Sequence, residues 1–373
     1  MSAKSPGRVG LVVDKSMLIY APGHNPNLPE YEFYNGTVKL RFDKSCWTYF
    51  LVRSDGSLES QDGVTKTVQI IDKSPALMPW AVKKAMAKLK RLLSERNLAI
   101  DDEEELDELI ASAKKADREE LEAAGEIGHT AHDWIEQYIK TILYDRIERR
   151  RELLAKMPSD ARAANACIAS LDWMHEHNVR WISTERKIFS LKYGYAGTMD
   201  GLARVDSCKD PNCCPNHFKD RLTLIDWKTS NGLWVEYLFQ TAAYQQAIQE
   251  ESGEMIEDRW VIRLGKEDAK FEPWHLEGKD LFEQDFQGFL QALLLLRSVT
   301  KAEERMSAVR AGKTAARRQE AKADRVEQSK LQCKNFAKYK GTRPPVCNGG
   351  HPCEACKKKY AEFKAKKGLD KSA

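Results

Sequence analysis

The chain has 373 residues, 60 Lys plus Arg against 56 Asp plus Glu, and 42% hydrophobic residues. That apolar share can bury a sizeable core and excludes a wholly disordered polymer, while apolar runs such as QALLLLRSV fall far short of the ~20 residues that span a bilayer. The near-neutral balance hides an asymmetry: Lys301 to Ala373 carries 20 basic and 8 acidic residues, so the preceding part is net acidic. A basic tail on an acidic body suits a polyanion such as nucleic acid, and equally suits a solvated Lys/Ala/Glu helix.

MSAKSPGRVGLVVD has a short apolar run broken by Gly10 and ended by Asp14, which argues against a secretory signal. Residues 9–72 read as strands (VGLVVD, SMLIYAPG, YEFYNGTVKLRF, CWTYFLVRSDG, TKTVQIID), with Asn35-Gly36 and Asp55-Gly56 as hairpin turns. A helix is expected from Pro79 to about Glu95, a second charged helix ending near Ala124, and a third beginning at Glu126 in EIGHTAHDWIEQYIKTILYDRIERRRELL. Another helix ends near His177. Strands WISTERKIFS and YAGTMDGLARV follow, joined by a turn at Lys192 to Gly194. After the Cys-rich DSCKDPNCCPNHFKDR come the strand LTLIDWK, the helix LWVEYLFQTAAYQQAIQEE, strands DRWVIRL and FEPWHL, and a helix from about Asp280 to Val299. A separate basic helix to about Lys330 and a Cys-rich end complete the chain. Strands and helices alternate without a strict βαβ rhythm, so an α/β fold with a mixed sheet is expected. The divisions read as 1–72 (β-meander), 73–299 (core, with an insertion at 206–220) and 300–373 (basic, Cys-rich extension).

The chemistry concentrates in GTMDG, LIDWKTS and QTAAY. Asp226 and Lys228, two apart on a strand, leave one face. Asp200 sits between Gly197 and Gly201, small residues that admit a ligand or a second backbone. If these strands pair, Asp200 and Asp226 converge on one cation, and carboxylate oxygens suit a hard divalent ion. Each residue alone reads as a turn cap or a charge at a strand end; the combination is harder to dismiss, because LTLIDW is an apolar strand that stops in two charges.

This ordered set resembles the PD-(D/E)XK nucleases, specifically the RecB-like exonuclease branch that bacteriophages encode. The markers are a helix His, a Glu on the first core strand, G-x-x-D, D-x-K and Q-x-x-x-Y. Here they match His132, Glu185, Asp200, Asp226 with Lys228, and Gln240 with Tyr244. GVTKTVQIIDKSPALMPWAVKKA also resembles the N-terminal segment of phage members. The resemblance spans roughly residues 63–276 and implies a restriction-endonuclease-like core. It implies Mg²⁺ or Mn²⁺ held by His132, Asp200, Asp226 and the Trp227 carbonyl, with Glu185 and Lys228 catalytic. Gln240 and Tyr244 would contact DNA or support the site. His129, in the same GHTAH, is the weaker ligand candidate. The implied partner is DNA, with a single-strand annealing or DNA-binding protein as companion. No membrane is involved, and the location is cytoplasmic (the host's, for a phage-encoded chain).

Nine cysteines in tight local groups point to metal ligands in a reducing compartment rather than a disulfide framework. Cys333, Cys347, Cys353 and Cys356, with His351 nearby, suit tetrahedral Zn²⁺; a [4Fe–4S] cluster, known in some members of the superfamily, is the rival. Cys208, Cys213, Cys214 and His217 form a second candidate Zn²⁺ group. Adjacent cysteines rarely share an ion comfortably, so a fourth ligand from elsewhere is considered. Cys46 and Cys167 read as buried thiols. The expected function is a metal-dependent deoxyribonuclease, an exonuclease by resemblance. A structure-specific endonuclease and a non-catalytic zinc-containing DNA-binding module are the alternatives.

Overall fold

In the computed structural model, which describes residues 28–96, 103–332 and 352–367, the strands begin where the turn chemistry demands. Strands β1 (Glu30–Phe33) and β2 (Val38–Asp43) are joined through Tyr34, Asn35 and Gly36, all at positive φ (50°, 56° and 80°). β3 (Thr48–Val52) and β4 (Leu58–Gly63) turn at Gly56, φ 79°. The expected strands at 9–14 and 16–23 lie outside the described residues.

TKTVQIID, read as a strand, instead yields a short helix, α1 (Val64–Val68). Val64, Thr67 and Val68 are buried and Ile71 packs on the same cluster, a 3.6-residue spacing that overrides the β-branched propensity. Helices α2 (Ser74–Arg96), α3 (Glu103–Ala113), α4 (Ala116–Leu143), α5 (Ile147–Ala155) and α6 (Ala161–Glu176) follow. The expected break between Ala124 and Glu126 does not occur. Gly125 is accommodated inside α4, and the chain turns at Lys114–Lys115 and at Tyr144–Arg146 instead. The stripe Ile127, Ala131, Trp134, Ile135 and Ile139 is buried along one face of the C-terminal half of α4.

β5 (Arg180–Ser190), β6 (Tyr195–Val205), β7 (Arg221–Lys228), α7 (Val235–Ser252), β8 (Asp258–Leu264) and β9 (Phe271–Glu277) match the expected pattern. They are followed by α8 (Lys279–Gln332) and α9 (Glu354–Lys367). α8 is one helix where two were expected; neither Gly nor Pro interrupts residues 289–311, so a change from apolar to basic composition does not end it.

The nine strands form one mixed sheet ordered β1-β2-β3-β4-β6-β7-β8-β9, with β5 paired to β6. β4 meets β6 in parallel at Asp62↔Tyr195 and Gly63↔Ala196, so the N-terminal hairpins extend the sheet. β7 and β8 are also parallel, and the other pairs are antiparallel. Helices flank both faces. Ile225 and Trp227 of β7 enter a cluster with Trp134, Ile135 and Ile139 of α4 and Trp173 of α6. Leu222 and Leu224 join Ala243, Tyr244 and Ala247 of α7 and Phe286 and Phe289 of α8. The chain divides into two compact units, Met1–Leu296 and Arg297–Ala373. Among the described residues no helix is long and apolar enough to cross a membrane.

One buried ion pair ties β8 to the helices behind it. Arg259, 1% exposed, donates to Asp285 Oδ2 (2.7 Å) and to the Leu238 carbonyl (3.0 Å). Removing one partner of such a pair strands the other charge in the core. Asp285→Ala should therefore lower unfolding stability by about 3–5 kcal/mol, read from chemical denaturation. A loss below about 1 kcal/mol, the range of an exposed pair, would show that this contact is not holding the layers together.

Candidate active site

Antiparallel pairing from Gly201↔Ile225 to Val205↔Arg221 leaves Asp200 and Asp226 one step beyond the last pair, on adjacent strands. Asp200 Oδ2 accepts the Trp227 N–H at 2.8 Å. Asp226 and Lys228 leave the face of β7 covered by α7. Lys228 Nζ lies 2.6 Å from Asp226 Oδ2 and 4.7 Å from the Tyr237 ring centre. Gln240 of α7 donates to Asp226 Oδ1 (3.5 Å) and to the Tyr244 hydroxyl (2.9 Å), and accepts from Lys228 (3.4 Å). Gln240 and Tyr244 are both buried, and their hydrogen bonds run through Gln240 to the Asp226–Lys228 pair.

His132 and Glu185 complete the group. His132 projects from α4 with Nδ1 3.7 Å from Asp200 Oδ2. GHTAH lies inside α4 rather than at its start; His129 is exposed, and only His132 joins the carboxylates. On β5, pairing runs through Thr184↔Gly201 and resumes at Arg186↔Met199, leaving Glu185 opposite Asp200 with φ 49°. A left-handed non-glycine costs on the order of 1–3 kcal/mol and persists where surrounding structure demands it, often at functional sites. One ligand atom each from His132, Glu185 and Asp200 lies within 4.8 Å of the others. Glu185 is thus grouped with His132 and Asp200 as a potential ligand, while Asp226 is engaged by Lys228.

The glycines around Asp200 serve packing. A Cβ at Gly197 would meet Tyr244 at 2.8 Å and one at Gly201 would meet Trp181 at 2.4 Å, so aromatic rings fill the space that the sequence left for a ligand. Gly128 has the corresponding role on α4: its Cβ would stand 2.8 Å from Thr229 Oγ1, and its absence lets α4 bring His132 over the end of β7.

The electrostatics follow from packing Asp200 and Asp226 beside the Lys228 ammonium and Glu185 beside Asp200. Burial, with Asp200 and Glu136 nearby, pushes Glu185 up to about 8. Burial and the charge of Asp200 push Asp226 up to about 6 against the pull of Lys228, and burial also raises Asp200. Burial and Lys228 depress His132 to about 4, so its imidazole is neutral at physiological pH. Burial works to deprotonate Lys228, yet Asp226 and Asp200 hold its pKa above the ordinary lysine value. The site therefore offers oxygen ligands and one neutral nitrogen, with carboxyl groups held above their ordinary pKa values despite the nearby lysines, which suits a cation.

No family model matches this chain, and neither does any curated protein.

The cysteine insertion gathers differently from the expectation. Cys208, Cys213 and Cys214 group with His177, at the end of α6, their ligand atoms all within 4.8 Å of one another. His217 is not in the group; its Nδ1 is hydrogen-bonded to Ser207 Oγ at 2.8 Å. The two adjacent cysteines both point into the cluster, contrary to the expectation that they would avoid sharing an ion. His177 went unrecognised because its signal, a histidine closing a helix, lies far upstream of the cysteines. Cys167 is buried as expected, whereas Cys46 is exposed. In the tail, Cys333, Cys347 and His351 lie outside the described residues; Cys356 is buried at the start of α9 and Cys353 half-buried just before it. Asp258, His275 and Glu277 also converge, but the Arg221 guanidinium already supplies their cation, 3.2 Å from Asp258 and 2.9 Å from Glu277.

Glu185 and Asp226 bind protons more tightly folded than unfolded, because the ordinary values of 4.5 and 3.8 rise to about 8 and about 6. Their contribution to metal-free stability therefore declines as pH rises through this window. The unfolding midpoint of Glu185→Gln relative to wild type, both in chelator, should rise between about pH 5 and pH 8. The stabilisation of wild type by Mg²⁺ should grow over the same range, since the cation competes with the protons. A Mg²⁺ effect of equal size at both ends, or no pH-dependent difference between the two proteins, would contradict this electrostatic account.

Proposed function

We propose that this chain is a Mg²⁺- or Mn²⁺-dependent deoxyribonuclease of the RecB-like PD-(D/E)XK type, built on a restriction-endonuclease-like core. The observation that carries this reading is the convergence of His132, Glu185 in its left-handed conformation, and Asp200, beside the Asp226–Lys228 pair. Carboxylate oxygens with a single imidazole suit Mg²⁺ or Mn²⁺ better than a thiophilic metal. His132, Glu185 and Asp200 would hold the ion, with Asp226 and the Trp227 carbonyl completing the set. A divalent ion so held supplies polarisation of a phosphoryl oxygen and acidifies an attacking water.

The chain's own groups account for the rest. Lys228, protonated and fixed between Asp226 and Gln240, orients the water and offsets negative charge that builds up on the phosphate during in-line displacement. Gln240, hydrogen-bonded to Tyr244, contacts both members of the Lys228–Asp226 ion pair and so fixes its orientation. The exposed basic residues of α8 beyond Lys301 fit sequence-independent contact with DNA phosphates. Preference for DNA ends rests on the resemblance in the ordered motifs, as does the companion annealing or DNA-binding protein.

Lys228→Ala and Asp226→Asn should fold and still bind DNA, but lose turnover by on the order of 100-fold or more, as when a preorganised electrostatic group is removed. Digestion of linear and closed circular DNA in Mg²⁺ and in chelator provides the assay. Cleavage confined to linear DNA is the expected result. Cutting of the circle would identify an endonuclease, binding without cleavage would leave a DNA-binding module, and wild-type turnover in folded Lys228→Ala would remove this active site.

A further inference from the structure

The cysteine insertion connects β6 to β7, and its soft sulfur ligands differ in chemistry from the carboxylate site at the other end of those strands. His177 Nδ1 sits 2.9 Å from the Trp173 carbonyl, so the tautomer that donates this hydrogen bond leaves the Nε2 lone pair unprotonated. Nε2 then faces Cys213 Sγ at 3.4 Å and Cys214 Sγ at 3.7 Å. The sulfurs of Cys208 and Cys214 are 3.6 Å apart, and those of Cys213 and Cys214 3.9 Å. A tetrahedral ion with zinc–sulfur bonds of ~2.3 Å and zinc–nitrogen bonds of ~2.0 Å has sulfur–sulfur edges of about 3.8 Å and nitrogen–sulfur edges of about 3.5 Å. The four observed separations scatter around those edges. They are far from the ~2.05 Å of a disulfide, and too short for sulfurs that would each bind a different iron of a cluster.

The surroundings are those of a ligand set held in place. The Cys208 N–H points at Cys214 Sγ (3.4 Å), and the N–H groups of Cys213 and Cys214 both donate to the Asp210 carbonyl, which wraps the loop around the sulfurs. His177 is fully buried and stacks on Trp173, with ring centres 4.7 Å apart.

We propose that His177, Cys208, Cys213 and Cys214 form a closed structural Zn²⁺ site. All four positions are filled by the protein, which leaves none open for a substrate or water. The ion fastens the insertion to the end of α6. Trp173 carries this support inward, standing edge-on to Trp227 at 5.5 Å, the residue between Asp226 and Lys228. The carbonyl accepting from Nδ1 fixes the histidine tautomer, as in other metal-ligating histidines. This proposal does not depend on the nuclease reading, because a structural ion here would be equally present in a non-catalytic protein.

Metal content of the full-length chain, purified under reducing conditions, tests it. Cys353→Ser/Cys356→Ser protein, with the tail group crippled, should keep about one equivalent of zinc, as a closed four-ligand site does. In that background His177→Ala should lose it, His217→Ala should retain it, and His177→Cys, which restores a fourth soft ligand, should regain it. Replacing zinc by Co²⁺ should give the intense visible bands of a tetrahedral thiolate site, absent in Cys214→Ser. Should His177→Ala fail to fold, the zinc content of the tail variant and its Co²⁺ spectrum still decide the matter. No zinc in the folded tail variant, loss of zinc on His217→Ala with none lost on His177→Ala or Cys214→Ser, or a Cys208–Cys214 disulfide in the reduced preparation would each overturn the assignment.

Discussion

Two carboxyl groups, Asp226 and Asp200, crowded beside the Lys228 ammonium, with a third, Glu185, packed against Asp200, are the constraint on which the centre of this molecule turns. Asp226 is fully buried and Asp200 and Glu185 are half-buried; Lys228 is paired with Asp226, while Lys187 and Lys140 lie nearer Glu185. Such an arrangement is unfavourable in an isolated protein, because desolvation and mutual repulsion both penalise ionisation. The raised proton affinities of Glu185 and Asp226 express that penalty. A fold retains it where a cation relieves it, and the neutral imidazole of His132 stands beside the carboxylates as an additional ligand.

The rest of the sheet makes this crowding geometrically feasible. Alternation along β7 sends Asp226 and Lys228 toward α7 while Ile225 and Trp227 anchor the strand among the α4 and α6 side chains. The strand end that carries the charges is therefore fixed from the opposite face by a cluster of tryptophans. Glu185 reaches Asp200 only because β5 adopts a left-handed residue at that register, and His132 only because Gly128 lets α4 approach Thr229. His177 belongs to the same anchoring face: its ring stacks on Trp173, which in turn touches Trp227 and Trp260. The soft-ligand cluster and the hard-ligand cluster are thus joined through aromatic packing around a single strand.

Much of this was legible in the sequence, for reasons that are local. Strands β5 to β9 and α7 announce themselves by alternation, turn residues and a 3.6-residue period, and the pairing of Asp200 with Asp226 follows once those strands are antiparallel. What escaped depends on contacts distant in sequence. Gly197 and Gly201 are small because Tyr244 and Trp181 press against them. α1 is helical because its β-branched residues find a helical stripe of partners, and α4 runs through Gly125 although its buried stripe begins only at Ile127. The backbone conformation that turns Glu185 toward Asp200 has no signature in the letters TERK. His177 was visible as the residue that ends a helix, but nothing local connects it to cysteines on the far side of a β-hairpin.

The divalent-cation site proposed at the carboxylate cluster can be located by anomalous diffraction at the manganese edge, from crystals of the full-length protein soaked in Mn²⁺. A peak is expected within coordinating distance, about 2.0–2.3 Å, of His132 Nδ1 and of carboxylate oxygens from Glu185 and Asp200. A map in which manganese occupies other positions while these three side chains bind none would contradict it.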